Sequence, residues 1–220
     1  MSADTITQLP WNRIHDAAPR PGIYSWYYEP YIGDYDVDKT ISDVLQLRNQ
    51  NDLVGAAGLL RSFLQQNLFS YFRQDAYQVE LKGPLKPRHV GVADHDQDVS
   101  ASVIERLLED PERLRPLRDV LKQSTPYFAS PLYVGMSDCL RTRLLRHKHL
   151  IHHFRSQSGP ANPENSPADE EAGFAQRVAH RRIPPDRLFV VTCEIPSVGS
   201  LNVDAENLLN RMFYPILGRN

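Results

Sequence analysis

Residues 188–195, LFVVTCEI, constrain what this chain can become more than any other stretch. The run is apolar and β-branched with almost no alternation, and it is short for a helix, so it reads as a buried strand. A second run, residues 23–28 (IYSWYY), is aromatic and β-branched and follows the turn signal Pro21-Gly22. It reads as another strand. The chain has 220 residues, of which 41% are hydrophobic and 24% charged, enough to bury a core around such strands. No apolar run approaches the roughly 20 residues of a membrane helix. The opening MSADTITQLPWNRI has no basic region followed by an apolar one, so no secretory leader is expected. Cys139 and Cys193 are too few for a disulfide framework, and a reducing, cytoplasmic setting is expected.

Between and after the two runs the pattern is mostly helical. Residues 38–50 and 52–72 read as helices, the second with Leu53, Ala57, Leu60, Leu64, Leu68 and Phe72 at helical spacing. Residues 76–81 alternate weakly and suggest a strand. Residues 99–108 and 111–121 read as short helices, the latter with Pro111 at its first position. Residues 127–135, YFASPLYVG, read as a strand. Ser137 or Asp138 can cap a following helix that runs to about Phe154, with Leu140, Leu144, Ile151 and Phe154 as its buried stripe. Residues 157–173 are a Ser/Pro/Asn/Glu loop, and residues 174–180 a short helix. A last helix, 202–213, carries Leu208, Leu209, Met212 and Phe213 and stops before Pro215.

The net charge of -2 excludes a uniformly basic nucleic-acid coat, but the charge is unevenly placed. Asp34, Asp36, Asp38 and Asp43 cluster early, and Asp94, Asp96 and Asp98 later. Residues 141–155 hold Arg141, Arg143, Arg146, Lys148 and Arg155, interleaved with four histidines and no acid. Arg177, His180, Arg181, Arg182 and Arg187 form a second basic group. The bland reading of such clusters is a solvated face; the functional one is a phosphate-binding surface.

Several chemistries find no motif. Gly55-Ala-Ala-Gly58 lacks the lysine of a phosphate-cradling loop, and there is no GxGxxG, HExxH or GxSxG. His149 and His153 share a helix face, which reads as polar surface rather than a zinc site. Cys139 stands near a helix start and reads as a small packed residue.

One constellation is present. Gly22-Ile23-Tyr24 lies on a strand, and Tyr133-Val134-Gly135 on another. The run YVGMSDCLRTRLLRH then supplies a small polar residue, Leu140, Arg143 and, one turn later, His147. The closing run AENLLNRMFYPILGRN supplies Glu206, leucines, Pro215 and Asn220. In this order and on these kinds of element, the chain resembles the GIY-YIG nuclease family, in residues 20–33 and 129–220. Met136 stands where many members carry a basic residue. A literal Tyr31-Ile32-Gly33 follows the first motif closely, but Ile41 falls where its arginine should be and Asp34, Asp36 and Asp38 surround it. It is set aside in favour of Tyr133–Gly135. Residues 34–128 then form a mostly helical insertion at the tip of what is usually a short hairpin.

The resemblance implies an α/β (α+β) fold, a small mixed or antiparallel sheet flanked by helices, and an endonuclease that hydrolyses DNA phosphodiester bonds, of restriction or defence type. It implies Tyr24, Tyr133, Arg143, His147, Glu206 and Asn220 as catalytic, with Glu206 binding one Mg2+ or Mn2+. Arg143 and His147 are four apart, on one helix face. Arg143 suits phosphate oxygens, and His147 titrates near neutrality and can relay a proton. Either tyrosine can orient or deprotonate water. With Asp204 two residues away on the helix, a one-metal site fits better than a two-metal one, and magnesium keeps several waters beside a single carboxylate. Without the resemblance these residues read as a surface glutamate, a surface arginine, a polar histidine and ordinary strand tyrosines. Arg141, Arg146, Lys148, His149 and Arg177 are the expected nucleic-acid contacts. The partner expected is DNA, not a membrane, with a homodimer suited to a palindromic site. A rival reading is a non-catalytic protein that binds nucleic acid or another partner on the same fold.

Overall fold

A computed structural model describes residues 6–72, 76–81, 83, 89–93, 98–156, 170–195 and 201–218. In chain order the elements are β1 (Ile6–Pro10), a 3-10 turn (Trp11–Asp16), β2 (Gly22–Tyr28), α1 (Asp34–Asn49) and α2 (Leu53–Leu64). A π turn (Gln65–Phe69), β3 (Tyr77–Leu81), β4 (His89–Ala93), α3 (Ala101–Glu109) and α4 (Leu114–Phe128) follow. The chain closes with β5 (Tyr133–Ser137), α5 (Leu140–Ser156), α6 (Glu170–His180), β6 (Leu188–Glu194) and α7 (Leu201–Phe213). This is a mixed α/β fold with one antiparallel sheet of four strands and one of two, flanked by helices. Among the described residues no helix is long and apolar enough to cross a membrane.

The chain divides into two compact units, residues 1–30 with 121–220, and residues 31–120. The first is built on the sheet β1-β6-β2-β5. β2 and β6 are the central strands, which is why their sequences run apolar without alternation: both faces are covered. Trp26 and Val190 are fully buried and lie opposite each other in register. Gly22 faces the backbone carbonyl of Cys193 so closely that a methyl group has no room. β1 closes one edge with exposed residues and ends on Pro10, a residue suited to an edge because it donates no ladder bond.

The second unit buries Val37, Ile41, Val44, Ala56, Leu60, Leu64, Ile104, Leu107 and Leu114 between its helices. Asn51, in the left-handed region at φ 59°, turns the chain from α1 to α2, and Asp52 caps α2 by accepting from the Gly55 N–H at 2.8 Å. Asp34, Asp38 and Asp98 pair locally, with Arg118, Arg115 and Arg61, while Asp94 and Asp96 lie outside the described residues.

Several expectations change. Residues 52–72 are not one helix; α2 gives way to the π turn, where Ser70 N–H reaches the Gln65 carbonyl. Its buried stripe is Ala56, Leu60 and Leu64, while Leu53 stays exposed. The strand expected over 127–135 starts only at Tyr133, because α4 continues to Phe128. Pro126 lies in its last turn, where few backbone bonds remain to be lost, and the Thr125 hydroxyl bonds the Leu121 carbonyl there at 2.6 Å. Residues 157–169 of the expected loop lie outside the described residues, and 170–173 belong to α6.

Gly22→Ala should lower unfolding stability by about 2 kcal/mol or more, since a backbone carbonyl cannot move aside. Gly91→Ala in β4, with open space at its Cβ, should change it by less than about 1 kcal/mol. Urea denaturation of both variants checks the pair.

Candidate active site

The sheet register places Tyr24 opposite Gly135. The Tyr24 ring crosses that glycine: a Cβ at Gly135 would lie 2.6 Å from Tyr24 Oη and 2.8 Å from Tyr133 Cε1. The two tyrosine rings lie 6.1 Å apart. α5 leaves β5 after two residues, and its first turn is tied down on both sides. Ser137 Oγ accepts from the Cys139 N–H at 3.0 Å, and the Leu140 and Arg141 N–H groups bond the Arg20 and Ala18 carbonyls just ahead of β2. This anchoring fixes the rotation of α5 against β2. One turn in comes Arg143, two turns in His147.

Tyr24 Oη and His147 Nε2 are hydrogen-bonded at 2.9 Å in the core. His147 is wholly buried, in line with Leu140, Leu144 and Ile151. Its ring is boxed by Phe174, Tyr24, Tyr133 and Trp26, at centroid distances of 5.3, 5.5, 5.8 and 6.1 Å. Burial, reinforced by the charges of Arg143 and Arg146, pulls its pKa down to about 3. It is a neutral imidazole, and its Nδ1 has no hydrogen-bond partner among the described residues. Burial pushes the Tyr24 phenol above its ordinary range, and Tyr133 and Glu206 add to this; Arg143 opposes it through its charge and a hydrogen bond to Tyr24. Tyr24, His147, Arg143, Tyr133 and Glu206 therefore share one neighbourhood.

Beside it opens a cleft of about 630 Å3 lined by Tyr133 and Val134 of β5, Arg177 of α6, and one face of α7. Val203, Glu206, Asn207, Asn210, Arg211 and Tyr214 supply that face at three- and four-residue spacing, and Arg211 Nε donates to Asn207 Oδ1 at 3.0 Å. Glu206 is half-buried there. Tyr214 ends α7 in the left-handed region at φ 44°, with its exposed ring at the rim. The chain then turns back. Leu217 N–H bonds the Leu132 carbonyl at 2.7 Å, and Arg177 Nε donates to the Leu217 carbonyl at 3.0 Å. Asn220 lies outside the described residues.

The basic residues of α5 do not form one surface. Arg141 Nε donates to the Ala17 carbonyl, and Lys148 donates to the Trp11 carbonyl with its ammonium 5.3 Å from the Trp11 ring. Both brace the N-terminal segment. Arg146 lies on the flank of Arg143, and Arg146 and His149 are exposed. Arg177 belongs to the cleft wall. His149 and His153 stack at 6.4 Å on the outer face, and no group of three or more His, Cys, Asp or Glu is clustered as for a metal among the described residues.

Trp26 and Phe174 of the box, and Asn207, Asn210 and Tyr214 of the cleft, were not among the residues singled out in sequence. The α7 residues carry a signal, the helical spacing from Glu206; Phe174 carries none, since only tertiary packing brings it to His147. Comparisons with family models, curated proteins and solved structures give no match to this chain.

His147 makes stability depend on pH. An unfolded histidine titrates near 6.5 and this one only near 3, so between those values the unfolded chain holds a proton that the folded one lacks. Its contribution is full above about pH 6.5 and is lost as pH falls, at up to about 1.4 kcal/mol per pH unit. His147→Gln should be less stable at pH 7.5 but show a flatter loss towards pH 5, checked by urea denaturation across that range.

Proposed function

We propose that the protein is a metal-dependent endonuclease of GIY-YIG type that hydrolyses DNA phosphodiester bonds. The observation that carries this reading is the buried Tyr24–His147 hydrogen bond with Arg143 beside it, next to Tyr133, which lines the cleft that holds Glu206. A structural tyrosine and histidine need no arginine against them in an aromatic core, whereas a phosphate-cleaving site needs this kind of set. Perturbed titratable groups converging beside a cleft favour a catalytic site.

Hydrolysis requires water oxygen to attack phosphorus while the P–O bond to the leaving sugar breaks. In this reading Arg143 offsets the charge that builds on the phosphate oxygens. Tyr24 orients the attacking water and passes its proton towards His147. Burial is the main cause of the low proton affinity of His147; a phosphodiester entering beside Arg143 offsets only the lesser contribution of that charge, and so raises the affinity in part as substrate arrives. Tyr133 forms the wall between the pair and the cleft. Glu206 is a hard oxygen donor in a cleft that presents amide and phenol groups together with the guanidinium groups of Arg177 and Arg211, so one magnesium or manganese ion there would rest on Glu206, water and phosphate. When bound, such an ion supplies further neutralisation of the phosphate charge. Arg146, His149 and Arg177 are the cations best placed for the DNA backbone, while Arg141 and Lys148 are engaged within the chain. Restriction or defence fits a nuclease unit accompanied by a helical unit for target reading.

Supercoiled plasmid with magnesium should be nicked or linearised, and EDTA should stop it. Glu206→Ala, Arg143→Ala and Tyr24→Phe should each reduce the rate by about 100-fold or more while the circular dichroism is unchanged. Cleavage that survives Glu206→Ala would misplace the site. Folded protein that shifts DNA but never cuts it would favour a binding module instead.

A further inference from the structure

We propose that the cleft beside Tyr133 takes a nucleobase that has left its stack, with Tyr214 as the platform it lies on. The proposal rests on the nuclease reading and names the form of DNA that this site prefers: a strand with an unpaired nucleotide next to the bond that is cut. Tyr214 is the cleft residue that ordinary packing explains least. Its φ of 44° lies in a region that bulky residues seldom enter and that glycine enters freely. Yet Tyr214 is 78% exposed, so no core burial offsets the strain. What the turn does achieve is to set the ring on the rim of the cleft. The Tyr214 N–H bonds the Asn210 carbonyl at 3.1 Å, and the chain beyond is pinned through Leu217. An exposed aromatic ring carried over a cleft by a fixed backbone is what an unstacked base lies against.

The polar groups of the cleft suit a base better than a phosphate. Asn207 and Asn210, about one turn apart on α7, have their amides oriented by bonds inside the protein. Asn207 Oδ1 accepts from Arg211 Nε at 3.0 Å, which leaves its NH2 group as a donor. Asn210 Nδ2 donates to the Glu206 carbonyl at 3.1 Å, which leaves Oδ1 as an acceptor. One face of the helix thus offers a donor and an acceptor, the complement of the neighbouring acceptor and donor on the edge of a base. A phosphodiester, which only accepts, has no use for the Asn210 oxygen. Val134, Val203 and Pro215 add apolar surface, and a cleft of about 630 Å3 is of the size that holds small ligands. Helix geometry connects this end of the cleft to the chemistry. Tyr214 lies eight residues beyond Glu206, about 12 Å along the axis. A phosphate at the Glu206 end therefore sets its attached sugar and base between the two. A base in a duplex is stacked and paired, and enters such a cleft only by swinging out, at a cost that an unpaired nucleotide largely avoids.

Fluorescence anisotropy on the full chain tests this without any cleavage assay, with calcium in place of magnesium so that binding is read apart from cutting. It compares a labelled DNA duplex with the same duplex carrying one unpaired nucleotide. The unpaired nucleotide should tighten binding about tenfold or more. Tyr214→Phe should keep that preference. Tyr214→Gly relieves the left-handed backbone, so the fold should resist urea at least as well, yet the preference should vanish. Asn207→Ala combined with Asn210→Ala should also abolish it. A Tyr214 that served only the turn would leave the preference intact in the glycine variant. Equal binding of the two duplexes, or a preference that outlasts Tyr214→Gly, would overturn the base subsite and leave the nuclease reading standing. Failure of the folded protein to bind either DNA would overturn both.

Discussion

The hydroxyl of Tyr24, held against His147 beneath a glycine, is the contact on which the rest of the first unit depends. It fixes three things together. The β2–β5 register must bring Gly135 opposite Tyr24, because any side chain there would collide with the ring. α5 must begin directly after β5, so that its second turn delivers His147. The aromatic residues around them must leave the imidazole no water. This arrangement is costly. Buried polar atoms without a partner each cost about 1–3 kcal/mol, and Trp26 Nε1 and His147 Nδ1 both lie in this core. A core selected for stability alone would carry leucine at position 147, in line with Leu140, Leu144 and Ile151. Polar atoms kept in such a place are more economically explained by chemistry than by packing.

The treatment of charge points the same way. Positive residues crowd α5, but helical geometry sends them to different duties. Arg141 and Lys148 face the segment before β2 and tie it down through the Ala17 and Trp11 carbonyls. Arg143 and Arg146 lie on the opposite flank, where they depress His147. A charge cluster read along a sequence is a sum over helix faces, and only part of this one is left to meet a phosphate. Asp98, Asp38 and Asp34 are likewise answered within their own unit, by Arg61, Arg115 and Arg118.

This explains which features were legible in the sequence. β2 and β6 were readable because central strands demand continuous apolar residues, and α5 because a polar cap precedes a periodic stripe. Arg143 and His147 could be placed on one face from helix spacing, whereas Tyr24 was grouped with them only through the resemblance to the GIY-YIG family. What failed were features decided by non-local packing. Residues 127–131 look strand-like by their aromatics and Pro131, yet α4 runs on to Phe128 because its last turn tolerates Pro126. β1 had no pattern of its own, since an edge strand needs only a neighbour to pair with; its partner β6 supplies that. Phe174 could not be assigned to the His147 box from a stretch that reads simply as the start of a short helix. The apolar residues of α7 could be counted, but not which of them the protein covers.

α7 joins these threads, for it serves the cleft with no fully buried residue to hold it. Its ends are held by specific contacts. Asn202 Nδ2 contacts the Met136 sulfur at 3.5 Å near its start. Beyond its end, the chain is pinned by Leu217 to Leu132 and by Arg177 to Leu217. Methionine at position 136 therefore has a role that needs no charge: it seats the helix that carries Glu206. Between these ends one face of the helix, Asn202, Ala205, Glu206, Leu209 and Asn210, is half-buried against β5 and β2, and that packing sets the rotation that decides where Glu206 points.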